Sequence, residues 1–287
     1  METASDLAVR LTKASRKKFW DVYNSITWPD QLVEGAWMMP PELISIHGTS
    51  AWDALDESQR KTLSKFELGN FFSLVLQGER PLVAGLSDRL YSRSNNKHIT
   101  EYLHHFLDEE NKHMVMFGEF CNRYIGKVYP EKKISLPREY AKGEEEVAFF
   151  CKVMVVEELG DYYNLVIEKD ERCDPLVREI NRMHHVDEAR HLAFGRLYLA
   201  ELFQQHSPKW TPEQLAGFRQ WLVDYLRASW GDYYNPTMYR DAGLADSYEL
   251  RQMAMAHPAG VALRRAASAK LVTYFIKNGL LTEEPGL

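Results

Sequence analysis

Charged side chains interrupt the apolar stripe of a long predicted helix at residues 97–125. Six apolar residues at helical spacing define this stripe: Ile99, Leu103, Phe106, Phe117, Cys121 and Tyr124. The two positions that continue the stripe are Glu110 and His113, and residues three apart project side by side from one helix face. Burying a carboxylate beside an imidazole is costly unless something in the interior uses their charge and lone pairs. The chain must therefore fold so that these two groups meet a partner inside the protein.

The same arrangement recurs in a second predicted helix, at residues 175–205. Its stripe contains Ile180, His184, Glu188, His191, Gly195 and Tyr198. Glu188 lies 78 residues after Glu110, and His191 lies 78 residues after His113. Two Glu-x-x-His pairs at one common offset indicate that the chain contains two helical hairpins of matching pattern.

A further glutamate in each half completes the repeat. The 78-residue offset also relates Glu79 to Glu157, and each of them precedes its Glu-x-x-His pair by 31 residues. One glutamate from each of two helices, with one Glu-x-x-His pair from each of the other two, is the ligand set of carboxylate-bridged di-iron and di-manganese bundles. Four carboxylates balance two divalent ions, and no Lys or Arg lies on these stripes to form buried salt bridges instead. The sequence therefore predicts a buried site for two metal ions.

Two of the predicted ligands have neighbours that compete for the same role. Glu158 is a rival to Glu157, since both follow the apolar run at residues 153–156, and the 31-residue spacing favours Glu157. Glu67 is a weaker rival to Glu79, because it lies about three helical turns beyond the level of the site. The choice between Glu157 and Glu158 stays open at this point.

His184 lies one helical turn before Glu188 and matches Phe106 of the first half. It faces the same side as Glu188 and His191, so we add it to the predicted ligands as a seventh residue. Pro81, two residues after the first predicted ligand, is expected to loosen its helix near the metal. The sequence does not distinguish a simple kink from the opening of a substrate path.

Polar residues beside the predicted ligands are candidates for orienting them, because metal-bound histidines commonly donate their second N–H to a carboxylate. Five residues are placed for this role: Glu109, Lys112, Asp161, Asp187 and Arg190. A solvated charged edge explains Glu109 and Lys112 at least equally well. Three other histidines lie off the stripes and receive no role: His104, His105 and His185.

Helical periodicity dominates the chain, and the near absence of period-2 alternation indicates an all-α fold. We expect helices at 5–25, 59–93, 97–125, 144–170, 175–205, 211–230 and 258–277, an irregular segment at 27–58, and a turn-rich stretch before the last helix. Breakers separate the four long helices: Ser94-Asn95-Asn96, residues 126–137, and Cys173-Asp174-Pro175. We predict one domain over residues 1–287, a four-helix bundle at about 59–205 with flanking helices, the C-terminal ones at 211–280.

The composition excludes several classes of protein. A hydrophobic fraction of 45% is too high for a disordered chain, and a net charge of −6 argues against nucleic acid or an anionic membrane as partner. No apolar run approaches the ~20 residues of a membrane span, and the N-terminus lacks a signal peptide. Three widely spaced cysteines (Cys121, Cys151 and Cys173) indicate neither a disulfide framework nor a zinc site. We expect a soluble protein of the reducing cytoplasm.

Two stretches of the sequence resemble a known family. The pattern Glu157…His184-x-x-x-Glu188-x-x-His191, with its extra histidine, and the stretch DEENKHMVMF at residues 108–117 are similar to the di-iron N-oxygenases. This family is typified by p-aminobenzoate N-oxygenase and the arylamine oxygenase of chloramphenicol biosynthesis, and the resemblance covers residues 40–205. It implies a ferritin-like four-helix bundle and seven metal ligands: Glu79, Glu110, His113, Glu157, His184, Glu188 and His191.

The resemblance also implies an activity. Two iron ions and O2 would oxidise a primary amine to the hydroxylamine, nitroso or nitro product, in secondary-metabolite biosynthesis and in a homodimer. Iron rests on the resemblance, since carboxylate and imidazole ligands suit iron or manganese. Because the chain is shorter than typical members, we leave the amine open, either free or tethered to a carrier protein. The sequence holds no dinucleotide fingerprint and no cysteine cluster, so electrons are expected from a separate reductase or other external donor.

Two other functions fit the same metal-ligand pattern. A di-iron C–H hydroxylase, desaturase or ribonucleotide-reductase-like subunit would use the same bundle, but those relatives generally lack a counterpart of His184. A ferritin-like iron-binding or storage protein would need a cage of short subunits, for which 287 residues is long.

Overall fold

A computed structural model describes residues 2–91, 96–131 and 134–287, and over these residues it contains helices and no β-strand. The first four helices are α1 (Ala4–Lys17), α2 (Ser50–Asp53), α3 (Glu57–Arg89) and α4 (Lys97–Phe120). Six more follow: α5 (Glu144–Lys169), α6 (Pro175–His206), α7 (Pro212–Tyr233), α8 (Pro236–Asp241), α9 (Ser247–Ala256) and α10 (Pro258–Lys277). The predicted all-α fold is confirmed.

Side-chain caps fix where the long helices begin. Asp56 and Gln59 form a capping box at the start of α3. The Asn96 side chain accepts from the first backbone N–H groups of α4. Asp174 caps α6, and Pro175 occupies its first position, where a missing N–H costs nothing. These caps explain why helix starts were predicted to within two residues.

The four long helices form a bundle with flanking helices around it. α3 packs against α4 and α5 packs against α6, so each half of the sequence repeat is a helical hairpin. α4 also contacts α6, which brings the two Glu-x-x-His helices together. α1 covers the outer side of α4 and α6, while α7 and α10 pack on α5. None of the helices in the described part of the chain is both long and apolar enough to cross a membrane.

Several predicted boundaries were wrong. α1 ends at Lys17 rather than at residue 25, and the chain then turns so that Trp20 points back into the protein. The turn-rich stretch after α7 contains two short helices, α8 and α9, because proline or a polar cap starts each of them. The predicted α3–α4 break includes Ser94 and Asn95, which lie outside the described residues.

Glu67 is buried in α3, far from the other acidic residues of the bundle. Its carboxylate accepts hydrogen bonds from the backbone N–H (2.9 Å) and the hydroxyl (2.6 Å) of Ser45, and that hydroxyl also lies 2.7 Å from the Tyr239 hydroxyl. Burial raises the pKa of Glu67 to about 8. Glu67 therefore belongs to the packing between α3 and the segment before α2, and it does not take the place of Glu79.

The buried carboxyl of Glu67 should make the stability of the protein depend on pH. Because its folded-state pKa of about 8 lies above the ordinary value of 4.5, the folded state holds the proton more tightly. The free energy of unfolding should therefore fall by up to about 1.4 kcal/mol per pH unit between these two values. We expect Glu67→Gln to flatten this slope in urea titrations at pH 5–9 with a chelator present.

The matched control is Glu171→Gln at an exposed position, which should follow the wild-type pH profile. Parallel profiles for wild type and Glu67→Gln would show that Glu67 does not titrate in this range.

Candidate metal centre

Seven buried side chains from the four bundle helices meet in the interior. Each has at most 3% of its surface exposed. Their metal-binding atoms form two groups, and within each group the atoms lie within 4.8 Å of one another. The first group contains Glu79, His113 and His184, and the second contains Glu110, Glu157, Glu188 and His191. All seven residues singled out in the sequence are thus brought to one place.

Glu188 lies between the two groups. Its Oε1 atom is 3.5 Å from Nδ1 of His113, 3.0 Å from Nε2 of His184 and 3.3 Å from Nδ1 of His191. Glu110 is placed in a related way, with Oε1 at 2.7 Å from Nδ1 of His191 and Oε2 at 3.8 Å from Nδ1 of His113. Two carboxylates that each approach histidines of both groups are suited to bridging two ions.

The atoms that face this space lack hydrogen-bond partners among the described residues. They comprise both carboxylate oxygens of Glu79, Glu110 and Glu188, Oε1 of Glu157, Nδ1 of His113 and His191, and Nε2 of His184. Buried polar atoms in native proteins are nearly always paired, and an unpaired charged group is especially costly. Oxygen and imidazole donors converging without partners fit bound divalent iron or manganese.

The outward nitrogens of two of these histidines are held by carboxylates from the opposite half of the repeat. Nε2 of His113 on α4 lies 3.3 Å from Oδ2 of Asp187 on α6. Nε2 of His191 on α6 lies 2.9 Å from Oε2 of Glu109 on α4. A carboxylate that accepts this N–H fixes the ring orientation and leaves the other nitrogen free to bind a metal. The residue before each paired glutamate thus supports the histidine of the other half.

The third histidine is held by an amide instead. The side chain of Asn164 on α5 lies 2.7 Å from Nδ1 of His184, and with its oxygen turned to the ring it accepts the Nδ1 proton. Nε2 of His184 then keeps its lone pair for a metal. Asn164 escaped the sequence analysis, although it lies seven residues, or two helical turns, after Glu157 on the same face.

Arg190 joins the two supporting carboxylates. Its guanidinium donates to Glu109 at 2.6 Å, to Asp187, and to the Ser15 hydroxyl on α1 at 3.0 Å. The indole N–H of Trp20 donates to Asp187 at 2.8 Å. Asp187 and Arg190, for which the sequence gave no preference between support and a solvated edge, are therefore buried parts of the site. Trp20 carried no signal, because its contact depends on how the chain turns after α1.

The remaining candidates for a supporting role lie elsewhere. Lys112 pairs with Asp108 at 2.5 Å, and its ammonium lies 4.0 Å from the ring centre of Phe19. Asp161 accepts from His185 at 2.6 Å, and it does not contact any of the three histidines of the site. The sequence-based expectation that Asp161 might orient a metal-bound histidine was wrong, because its side chain turns to the neighbouring histidine of α6.

The rival to Glu157 points away from the site. Glu158 forms an ion pair with Arg196 of α6, whereas Glu157 joins the second group of metal-binding atoms. Successive residues of a helix are separated by about 100° around its axis, so the two carboxylates cannot face the same point. The geometry therefore favours Glu157 over Glu158.

Negative charge is concentrated in this site. Burial, together with the charge of nearby Glu110, raises the pKa of Glu79 to about 7. Burial and the charges of Glu110 and Glu188 raise the pKa of Glu157 well above its usual value. Burial opposes ionisation of His113 and His191, but the surrounding carboxylates raise the pKa of both imidazoles. Without metal, the cluster must hold protons, which divalent cations would displace on binding.

The supporting carboxylates behave in the opposite way. Burial alone would raise the pKa of Asp187 and Glu109, but hydrogen bonds from His113 and His191 and the charge of Arg190 lower both. Both therefore stay ionised and can accept the imidazole protons across the neutral pH range.

Aromatic rings close the space around the site. Phe106 stacks on His191 with ring centres 3.9 Å apart, and Phe117 meets the edge of His184 at 4.9 Å. These rings exclude water from the histidine side of the cluster. Phe106, the counterpart of His184 in the sequence repeat, therefore packs against a histidine of the second group.

A cavity of about 490 Å³ lies between α3, α5 and α7. Gly78 and Val156 line it, and they immediately precede Glu79 and Glu157. A Cβ atom on residue 78 would approach the Val156 side chain to 2.8 Å, so glycine permits the close packing of α3 on α5 here. Pro81 also lines the cavity, and α3 continues through it to Arg89. Pro81 therefore forms part of the cavity wall.

Arg190→Lys should weaken metal binding without removing a ligand. Lysine keeps the charge but cannot donate to Glu109, Asp187 and Ser15 together, so both histidine supports would loosen. Loss of such outer contacts typically lowers metal affinity about 10- to 100-fold. Competition titrations with a chromophoric chelator would measure the effect. Arg182→Lys is the control, because Arg182 pairs at the surface of the same helix with Glu179; unchanged affinity in Arg190→Lys would contradict the role of Arg190.

Sequence and structure comparisons place the chain among known proteins. Two uncharacterized proteins, from Mycobacterium tuberculosis (strain CDC 1551 / Oshkosh) and Mycobacterium bovis (strain ATCC BAA-935 / AF2122/97), are each 25% identical to it. The matches cover 77% and 68% of this chain, and they span only 65% and 60% of those relatives.

Solved structures similar to this chain include an R2-like ligand-binding oxidase without metal cofactor, with 14% identity and a TM-score of 0.45. The match covers 91% of this chain and 96% of that one. The same oxidase with aerobically reconstituted metal cofactor after photoconversion gives 15% identity and a TM-score of 0.42, with 91% and 92% covered.

The family described as P-aminobenzoate N-oxygenase AurF matches residues 2–279. The match extends well beyond residues 40–205, on which the sequence resemblance was based. AurF proteins are oxygen-dependent oxidoreductases of the ferritin-like class, and the resemblance is confirmed. The chain belongs to the p-aminobenzoate N-oxygenase AurF family.

Proposed function

We propose that this protein is an O2-dependent oxidoreductase that binds two iron ions and oxidises a primary amine at nitrogen. The observation that carries the proposal is the convergence of seven unpartnered, buried ligand atoms sets in one cluster that includes a third histidine, His184. Family membership supports the same chemistry. The hydroxylamine, nitroso or nitro product would serve secondary-metabolite biosynthesis.

The ligands divide between the two ions by their grouping. Glu79, His113 and His184 would hold one ion, and Glu157 and His191 the other. The two remaining carboxylates, on α4 and α6, approach histidines of both groups and would bridge the pair. Four carboxylates neutralise two divalent ions, which would make this buried cluster electrically balanced. When bound, two iron ions supply the redox chemistry that activates O2.

The chain contributes position and a dry environment to this reaction. Asp187, Glu109 and Asn164 orient the three histidines, so the ligand atoms need not reorganise when metal binds. Phe106 and Phe117 keep water from the histidine side. The cavity beside Glu79 and Glu157 gives the amine a route to the opposite side of the cluster. The substrate nitrogen would be oriented there by the cavity walls.

Partners follow from what this chemistry requires. Oxidation by O2 needs electrons, and the described helices offer no site for a flavin or an iron–sulfur cluster, so a separate reductase would supply them. The amine would be a free small molecule or one tethered to a carrier protein, and the enzyme a homodimer. The three cysteines are buried and unbridged, which suits a cytoplasmic protein.

A second function is favoured by one feature of the cavity. Its walls are largely aliphatic, with Val75, Leu82 and Val153 among them, and such walls also suit a substrate that presents a C–H bond. Mass spectrometry of products formed from a panel of amines and their nitrogen-free analogues would distinguish the two. Oxidation of only the nitrogen-free compounds would favour a C–H hydroxylase or desaturase.

Purified protein loaded with iron should contain close to two iron atoms per chain by elemental analysis. Glu110→Ala or Glu188→Ala should remove most of this metal, because each carboxylate approaches ligands of both groups. The control is Glu119→Ala on α4, which removes a partly exposed carboxylate paired with Arg123. Full iron content in both bridging variants would contradict the ligand assignment.

His184→Phe tests whether the third histidine is needed for oxidation at nitrogen. Phenylalanine is the residue at the matching position of the first half, so the substitution should be tolerated by the bundle. Removing a ligand should lower the rate of amine oxidation at least about tenfold. His185→Phe, which alters the adjacent residue paired with Asp161, should have a much smaller effect. Undiminished amine oxidation in His184→Phe would refute a role for this histidine.

A further inference from the structure

One wall of the 490 Å³ cavity carries a cation without a counter-ion. Lys152 of α5 lines the cavity and is half-buried. Its Nζ atom lies 5.8 Å from the ring centre of Trp221 and 5.9 Å from that of Tyr225. These distances are at the outer limit of a cation–π contact, so the rings compensate little of the charge. No carboxylate in the described ranges forms an ion pair with Lys152.

Other charged groups near the cavity are paired elsewhere. Arg138, whose charge acts on Lys152, forms an ion pair with Glu144. Glu131 lines the cavity but lies 3.8 Å from Arg80. Asp232 also lines the cavity and is not within ion-pair distance of Lys152. The ammonium therefore stands out as a cation in a mainly apolar wall.

An ammonium in such a place is held against its preference for water. Burial and the charge of Arg138 lower the pKa of Lys152. Leaving a partly buried charge unpaired costs free energy, and a negatively charged ligand would recover it. A carboxylate bound at Lys152 would thus complete an interaction for which the protein supplies one half.

The position of Lys152 sets a length for such a ligand. It precedes Glu157 by five residues on the same helix, which is about 7.5 Å along the axis. The wall between them is aliphatic and includes Val153 and Val156. A volume of about 490 Å³ lies in the range of pockets that take ligands larger than a single substituted ring.

We infer that Lys152 is a specificity residue that binds the carboxylate of the substrate, and that the carboxylate is separated from the reacting amine by an extended apolar body. The substrate class is an amine whose anionic group lies at the far end of the cavity from the metal centre. This inference rests on the proposed function for the identity of the reacting group, and on the cavity alone for the anionic one.

Ligand binding without turnover tests the inference. The probes are 4-(4-aminophenyl)butanoate and its uncharged primary amide, titrated calorimetrically into the full-length chain without O2, both iron-loaded and metal-free. The carboxylate should bind at least about tenfold more tightly than the amide, because a charge-assisted hydrogen bond replaces a neutral one. The shorter 4-aminobenzoate, with one ring between its two groups, should bind more weakly than the butanoate.

Variants identify the group responsible. Lys152→Met should lower the affinity for the carboxylate at least about tenfold and leave that for the amide nearly unchanged, since methionine keeps the chain length without the charge. Lys152→Arg should retain the preference for the carboxylate. Lys169→Met, at an exposed lysine of the same helix, should bind both probes as the wild type does.

Equal affinity of the wild type for carboxylate and amide, undiminished carboxylate binding in Lys152→Met, or no binding of either probe would overturn the inference. Tighter binding of 4-aminobenzoate than of the butanoate would overturn its length requirement. Because no O2 is present, charge-dependent binding in a protein that later fails to oxidise amines would refute the proposed function and leave the role of Lys152 intact.

Discussion

Four carboxylates buried beside three imidazoles, with no lysine or arginine among them, are the constraint on which the rest of this structure depends. Each of the four bundle helices contributes at least one of these groups to a single place in the interior. Such a concentration of negative charge is unfavourable in a protein core unless protons or metal ions neutralise it. The bundle is therefore best understood as a scaffold whose interior is completed by two cations.

The surrounding hydrogen bonds show how the scaffold keeps this cluster in order. Asp187 and Glu109 each support the histidine of the opposite half, and Arg190 links the two carboxylates. The repeat is not fully symmetric, since Lys112, the counterpart of Arg190, faces outward to Asp108. The asymmetry brings α1 into the site, because one arginine reaches that helix while the matching lysine does not. The first helix thus stabilises the centre without supplying a ligand.

Much of the fold and of the candidate site could be predicted from sequence because both depend on regular spacing. Helical periodicity and caps located the bundle helices, and the common offset located the seven cluster residues. Contacts between distant segments could not be predicted in this way. Trp20 reaches Asp187 only because the chain turns after α1, and the Asn164–His184 pair depends on how α5 packs on α6. Lys152 gave no signal, since a lysine in a helix usually indicates a solvated position.

The central claim is that these side chains hold two metal ions, and anomalous X-ray diffraction tests it most directly. Crystals of the iron-loaded protein, measured on both sides of the iron absorption edge, locate iron independently of any assumption about ligands. The account predicts two anomalous peaks about 3.5–4 Å apart inside the cluster of Glu79, Glu110, Glu157 and Glu188. A single peak, or iron bound only at the protein surface, would contradict it.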